Sequence, residues 1–316
     1  MAQIFVTGIT GFVGTHLTHY LVSKGHKIFG LSHRTTKLPQ TLAKGVHLYY
    51  GNILDQCLLE QILKEIQPDI IYHLAGILKA TDINKFYLIN VLGTIALFEA
   101  IIALNLTPKV LIASSSAVYG PGFSEQLITE QFPLQPITHY AISKIAQETV
   151  ALRYYLTYQL PVVCVRTFNL IGPNQPAEFA CSAFARQIAI AELTKKVDTL
   201  TTGNLSTKRD FTDIRDVVCA YDSIVISDKP DLIYNVCSAQ ATSIKQCLDI
   251  LLTLAKVPLK TIIDPNKWQP NDVAIQIGSA VKIYNYTGWR PKITLQQSLE
   301  ELLNYWRQQV KIELSE

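Results

Sequence analysis

Thr7-Gly8-Ile9-Thr10-Gly11-Phe12-Val13-Gly14, entered from Gln3-Ile4-Phe5-Val6, is the stretch that decides the fold. A short apolar β run ends in a glycine-broken turn, and residues 12–24 then carry a helical pattern. A dinucleotide pyrophosphate needs backbone N–H groups at a helix N-terminus and glycines that let the backbone come close. The glycines stand at 8, 11 and 14, so the first gap is one residue longer than in GxGxxG. Gly8, Thr10, Gly11, Phe12, Val13 and Gly14 are the expected phosphate cradle.

Outward from this turn, short apolar runs alternate with helical stretches. Strands are expected at 27–31, 46–50, 69–73, 109–113 and 161–165, and helices at 57–66, 84–105 and 136–159. Runs of this kind suit strands buried on both faces, as in a parallel sheet covered by helices. The expected fold is α/β, a Rossmann-type doubly wound parallel sheet with a smaller C-terminal lobe. After Arg166 the rhythm changes, and residues 172–176 and 199–209 read as loops. Helices are expected at 179–193, 213–227, 244–255 and 295–309, with a strand at 232–236; the last helix carries Leu295, Leu299, Leu302, Leu303 and Trp306 as an apolar stripe. Residues 1–168 are read as the dinucleotide-binding domain, with 213–237 returning to it. Residues 169–212 and 238–316 form the substrate lobe.

A net charge of +3 is too small to make nucleic acid the main partner. Cys57, Cys164, Cys181, Cys219, Cys237 and Cys247 are scattered without a CxxC pair, and read as reduced core thiols rather than metal ligands. No apolar run is read as spanning a bilayer, and no signal peptide is read at the start. A cytoplasmic protein with no membrane partner and no metal is expected.

The second strand ends Leu31-Ser32-His33-Arg34, without Asp or Glu. An acid there would hold the 2′-hydroxyl of NAD, and a base suits the 2′-phosphate of NADP. Ser32 and Arg34 therefore favour NADP(H), with NAD(H) as the alternative. Tyr140-Ala141-Ile142-Ser143-Lys144 is a YxxxK on a helix, and the i, i+4 spacing puts phenol and ammonium on one face. A neighbouring ammonium favours the phenolate, so Tyr140 is expected to trade protons near neutral pH. Ser114-Ser115-Ser116 ends the fifth strand, on the rim where open α/β sheets bind ligands.

These residues resemble the extended short-chain dehydrogenase/reductases. TGxxGFVG, Tyr72-His73-Leu74-Ala75-Gly76, Asn90-Val91-Leu92-Gly93-Thr94, SSSAVYG and YxxxK occur in the family's order. The second half is similar to the GDP-mannose branch, in 166–175, 184–187, 203–218, 234–237 and the tail 287–291 with 305–307. The nearest pattern is that of reductases of GDP-4-dehydro-6-deoxy-D-mannose. The resemblance implies that Ser115, Tyr140 and Lys144 are catalytic. It implies that Asn52, Ile53, Leu74, Ala75, Gly76 and Asn90 join the cofactor site, together with Tyr140 and with Lys144 on the nicotinamide ribose. It places Ser116 against the substrate, Asn169 and Arg186 against the substrate nucleotide and Arg209 against its diphosphate.

Two residues after the catalytic Ser, relatives that dehydrate carry a Glu and those that epimerise before reducing carry a Cys; this chain has Ala117. A methyl group does neither job. What the resemblance leaves is NADP(H)-dependent reduction of a 4-keto sugar on a nucleotide. Gln269 stands where the reductases usually keep a diphosphate-gripping Arg, and Lys267 is the expected substitute. A nucleotide-sugar 4-epimerase with bound NAD, a non-catalytic dinucleotide sensor and a different GDP- or CDP-linked sugar stay open as alternatives. Relatives pair through two helices per subunit, so residues 84–105 and 136–159 make a homodimer the expected assembly.

Overall fold

Along β1 (Gln3–Thr7) successive side chains enter two different cores: Ile4 and Val6 one, Phe5 the other. The same alternation runs through β4 (Ile70–His73), β5 (Lys109–Ser115) and β6 (Val162–Thr167), where Tyr72, Leu111, Val163 and Val165 face one core. Ile71, Val110, Ile112, Val162 and Cys164 face the other. Strands buried on both sides need no polar face, which is why they read as continuous apolar runs. The computed structural model describes residues 1–33, 42–121, 126–195, 197–227, 231–267 and 273–315.

With β2 (Lys27–Ser32), β3 (His47–Tyr50) and β11 (Ile233–Val236) these strands form a seven-stranded parallel sheet in the order β11-β6-β5-β4-β1-β2-β3. Helices α1 (Phe12–Ser23) and α7 (Ile214–Ile226) cover one face through Leu17, Leu21, Val217, Tyr221 and Ile224. The other face is covered by α2 (Gln56–Ile66), α4 (Gly93–Ala103) and α5 (His139–Tyr158), through Leu59, Ile62, Leu97, Phe98, Ile101 and Tyr154. Parallel pairing puts the carboxyl ends of the strands on one rim, with Thr7 level with His73 and Ser115 level with Thr167. The doubly wound sheet expected from the alternation is therefore present.

The stretch 84–105 is not one regular helix. It runs as α3 (Asn84–Tyr87), a π turn at Leu88–Leu92, and α4. By length and composition Asn84–Ala103 would suffice to cross a membrane, contrary to the sequence expectation. Its apolar residues Leu97, Phe98, Ala100 and Ile101 are instead fully buried against the sheet.

The smaller lobe has its own core, where α6 (Ala180–Thr194), α8 (Ile244–Thr253) and α10 (Leu295–Glu313) join Phe184, Ile188, Leu248, Leu299, Leu302 and Trp306. The Trp306 indole N–H donates to Ser182 Oγ at 2.7 Å. Around these helices lie short strands that the sequence reading missed. β7 (Asn169–Ile171) pairs with β10 (Phe211–Asp213), and β8 (Thr199–Thr202) with β13 (Lys260–Ile263). β9 (Lys208–Arg209) lies between β12 (Thr242–Ser243) and β14 (Ile275–Gln276). Residues 199–209, read as loop, thus hold two strands, because strands of two to four residues exist only through partners distant in the chain. A further short helix, α9 (Val281–Thr287), packs on α7 and β11. Four of the six cysteines are buried as expected; Cys219 is half-buried and Cys57 is exposed.

Candidate active site

Gly8 has φ +70°, a left-handed conformation that L side chains avoid. A Cβ there would lie 2.8 Å from the Ala75 nitrogen, and one at Gly14 would lie 2.5 Å from the Gly8 carbonyl oxygen. The Gly11 N–H closes the turn on the Gly8 carbonyl at 3.0 Å. Gly11 then begins α1 with no side-chain cap and no acidic residue in the first turn. The first N–H groups of a helix lack intrahelical partners, and the dipole favours an anion there. A bare helix start behind a turn too tight for any side chain fits a pyrophosphate, with Thr10, Phe12 and Val13 at its mouth.

Ser32 ends β2 fully buried, whereas Arg34 lies outside the described residues. Asn52 is exposed and accepts from the Leu54 N–H at 3.1 Å, while Ile53 is buried against Gly93. The Leu74 N–H donates to the Thr7 carbonyl at 3.2 Å and the Ala75 N–H to Thr7 Oγ1 at 3.2 Å, which fixes the strand-end turn over the glycine loop. Asn90 sits in the π turn, fully buried, accepting from the Ile77 N–H at 2.8 Å and donating to Ser143 Oγ at 2.9 Å. π turns recur at functional sites because the extra residue re-aims a side chain. A Cβ at Gly76 would stand 3.1 Å from the Asn90 oxygen and 3.4 Å from Lys144 Nζ, so Gly76, Asn90 and Lys144 meet at one point.

Thr138 caps α5 by accepting from the Ala141 N–H at 3.1 Å, which sets Tyr140 in the first turn of that helix. Its phenol stands beside Ser115 at the carboxyl end of β5. Burial pushes the phenol above its ordinary value and the neighbouring Ser115 side chain opposes that. The net shift is therefore upward, against the sequence expectation of a phenol brought down toward neutral pH. The Lys144 Nζ lies 5.9 Å from the phenol ring centre and donates to the Ala113 carbonyl at 2.8 Å and to Gln147 Oε1 at 2.9 Å. Burial holds the Lys144 ammonium down, to about 8, against the favourable field of Glu148. Ser115, Tyr140 and Lys144 thus share the rim beside the glycine loop, with Ser115 accepting from the Ala117 N–H at 3.2 Å.

The other expected substrate residues lie further out. Ser116 is buried and donates to Gln276 Oε1 at 3.0 Å. Asn169 begins β7, its N–H bonded to the Asp210 carbonyl at 3.0 Å, beside Arg209 on β9. The Arg209 guanidinium donates to the carbonyls of Val273 and Lys208. Lys267 is exposed at the end of a single turn, Pro265–Lys267, packed over Gly203. Arg186 is engaged elsewhere, paired with Glu313 at 2.8 Å and lying over the Trp306 ring. Gln269 lies outside the described residues.

Sequence reasoning missed two groups beside the triad. Arg166 and Glu148 form a buried two-pronged pair, at 2.9 and 2.7 Å, joined by Ser114 at 2.5 Å. Gln147, Thr94, His73 and Thr7 form a buried polar chain from Lys144 to β1. Gln147 and Glu148 follow Lys144 by three and four residues, so helical spacing placed them on its face.

The family model for GDP-mannose 4,6 dehydratase matches residues 5–302. The chain is 33% identical to GDP-6-deoxy-D-mannose reductase of Pseudomonas aeruginosa, over 98% of this chain and 99% of the relative. The solved structure of RMD from Pseudomonas aeruginosa complexed with NADPH superposes with a TM-score of 0.85 at 31% identity, covering 98% of this chain and all of that one. UDP-glucose 4-epimerase of Thermus thermophilus, solved with NAD, superposes with a TM-score of 0.87 at 25% identity, covering 96% and 99%. The uncapped glycine turn, the Ser115–Tyr140–Lys144 rim and these full-length likenesses together establish that the chain belongs to the GDP-mannose 4,6 dehydratase family, within the NAD(P)-dependent oxidoreductases of extended short-chain dehydrogenase/reductase type.

Proposed function

We propose that this chain reduces the 4-keto group of GDP-4-dehydro-6-deoxy-D-mannose to give GDP-D-rhamnose, with NADP(H) as cofactor. The observation that carries the reading is the Ser115–Tyr140–Lys144 rim with Ala117, a methyl group, following Ser115 by two residues. Dehydration and C3/C5 epimerisation need an acid or base at that place, and hydride transfer at C4 does not. The cradle of Gly8, Gly11 and Gly14 at the start of α1 would hold the pyrophosphate, and Ser32 and Arg34 the 2′-phosphate. Bound there, the cofactor supplies the hydride. Tyr140 gives its proton to the sugar O4, and Ser115 donates a hydrogen bond to the same oxygen as negative charge grows on it. Tyr140 lies in the first turn of α5, where the helix dipole favours the phenolate that this step leaves behind. Lys144, charged below about 8, stabilises that phenolate further. The nucleotide would lie across the lobe, with Asn169 near the base or ribose, Arg209 and Lys267 at the diphosphate, and Ser116 against the substrate next to Ser115. Arg186, already paired with Glu313, would have to exchange that partner to take part.

This reading divides the chain at residue 168, with 213–237 returning to the sheet. It also makes the protein a cytosolic homodimer. The exposed Leu88, Leu92, Leu152, Tyr155 and Leu156 support the pairing, which light scattering in solution would test. The reaction is tested by following loss of NADPH absorbance with GDP-4-dehydro-6-deoxy-D-mannose and reading the product by NMR. NADPH oxidation giving GDP-D-rhamnose is the expected result. NADPH binding without oxidation would overturn the substrate assignment.

A further inference from the structure

The chain of hydrogen bonds behind Lys144 has only one consistent direction. Thr94 Oγ1 donates its single proton to the Asn90 carbonyl at 2.7 Å. It must therefore accept from its two other neighbours, Gln147 Nε2 at 2.7 Å and His73 Nε2 at 2.9 Å. That fixes the Gln147 amide, with nitrogen toward Thr94 and oxygen toward Lys144 at 2.9 Å. It also fixes His73 with its proton on Nε2, so that Nδ1 accepts from Thr7 Oγ1 at 2.7 Å. Thr7 Oγ1 in turn accepts from the Ala75 N–H at 3.2 Å. Thr7, His73, Thr94 and Gln147 are all 1% exposed or less. Burial and the Lys144 charge hold the His73 imidazole down to about 3, so it is neutral and the pattern is stable. In a dry interior such a chain is rigid, because breaking one link orphans two buried polar groups.

We propose that Gln147 is a positioning residue for the reduction. Its amide, locked by Thr94, holds the Lys144 ammonium aimed at the rim. Through His73 and Thr7 it ties that ammonium to the turn formed by Ala75 and the glycine loop. The inference rests on the reading of Tyr140 and Lys144 as the proton-handling pair. Lys144 has two protein acceptors, Ala113 O and Gln147 Oε1, so Gln147 supplies half of its protein bonding. The titratable groups that face it are Tyr140 and Glu148 on its own helix, His73 at the end of β4 and Cys164 on β6, with Arg166 neutralising Glu148.

The test compares the parent with Gln147→Leu and Gln147→Glu. Two measurements are made in each: the pH at which Lys144 becomes half-reactive toward acetic anhydride, read by mass spectrometry, and the pH profile of kcat/KM. Loss of a hydrogen bond to a charged group shifts a protonation midpoint by roughly one pH unit or more. Gln147→Leu is expected to lower the labelling midpoint by about that much and to move the basic limb of the rate profile with it. Gln147→Glu, which keeps the acceptor and adds charge, is expected to move both upward. NADPH binding should change little in either variant. Unchanged midpoints in both variants, or a shift of the same sign in both, overturn the proposal. Should Gln147→Leu not fold, the upward shift in Gln147→Glu decides it. If the parent shows no reduction at all, the functional reading fails while the labelling still judges the positioning role.

Discussion

Replacing Gly14 by Ala should cripple dinucleotide binding while leaving the chain folded. The added Cβ would lie 2.5 Å from the Gly8 carbonyl oxygen and 2.6 Å from that of Ile9, where ordinary contact begins near 3.4 Å. The gap to be opened is therefore about 3.4 − 2.5 = 0.9 Å. Both obstacles are backbone, so no side chain can rotate away, and Gly8 cannot retreat because Ala75 stands behind it. The start of α1 must move off the turn, carrying its uncapped N–H groups with it. A hydrogen bond weakens steeply over such a distance, and one to a charged group contributes about 1.5–3 kcal/mol. Losing one or two of them predicts NADPH binding weaker by about 10- to 1,000-fold. The assay is titration of NADPH fluorescence, with circular dichroism melting to confirm the fold. Gly25→Ala is the control: its φ is +81° but no atom lies within 4 Å, so it should lose about 1–2 kcal/mol of stability and no NADPH affinity. A folded Gly14→Ala protein that binds NADPH within about twofold of the parent would refute the reasoning from the cradle.

Tyr140→Phe removes the proton donor and keeps the ring, so kcat should fall about 10²–10⁴-fold with little change in NADPH affinity, as steady-state kinetics and titration would show. Arg166→Met breaks the buried pair with Glu148 and leaves that carboxylate only Ser114; the loss should be about 3–5 kcal/mol, seen as a lower urea midpoint at constant slope. His73 is neutral in the fold with a value near 3 but takes a proton near 6.5 when unfolded. The unfolded chain therefore binds more protons between these values, and stability falls as pH drops through that window. The contribution is up to about 1.4 kcal/mol per pH unit, and urea unfolding of the parent and His73→Gln should differ in this slope. The rate of reduction should fall as pH rises through about 8, where Lys144 loses its charge, with the limb absent from the pH dependence of NADPH absorbance itself.

Much of the active rim was legible because its pieces are local. Gly8 to Gly14 is one turn, Tyr140 and Lys144 are one helical turn apart, and each central strand announces itself by having no polar face. These properties depend on neighbours a few residues away, so the sequence by itself determined the doubly wound sheet, the glycine turn at the start of α1 and the placing of Tyr140 and Lys144 on one helix. It could not show β7 to β10 or β12 to β14, whose short ladders join residues brought together only by the folded lobe. It also misjudged the charge balance at Tyr140. Spacing put Lys144 beside the phenol, but burial, which no local pattern records, raises the phenol, and the ammonium donates to Ala113 and Gln147. The same holds for the line from Thr7 through His73 and Thr94 to Gln147, assembled from β1, β4, α4 and α5. Hydrogen-bond direction and desolvation are set by every group around a buried atom, and only the tertiary structure decided which groups those are.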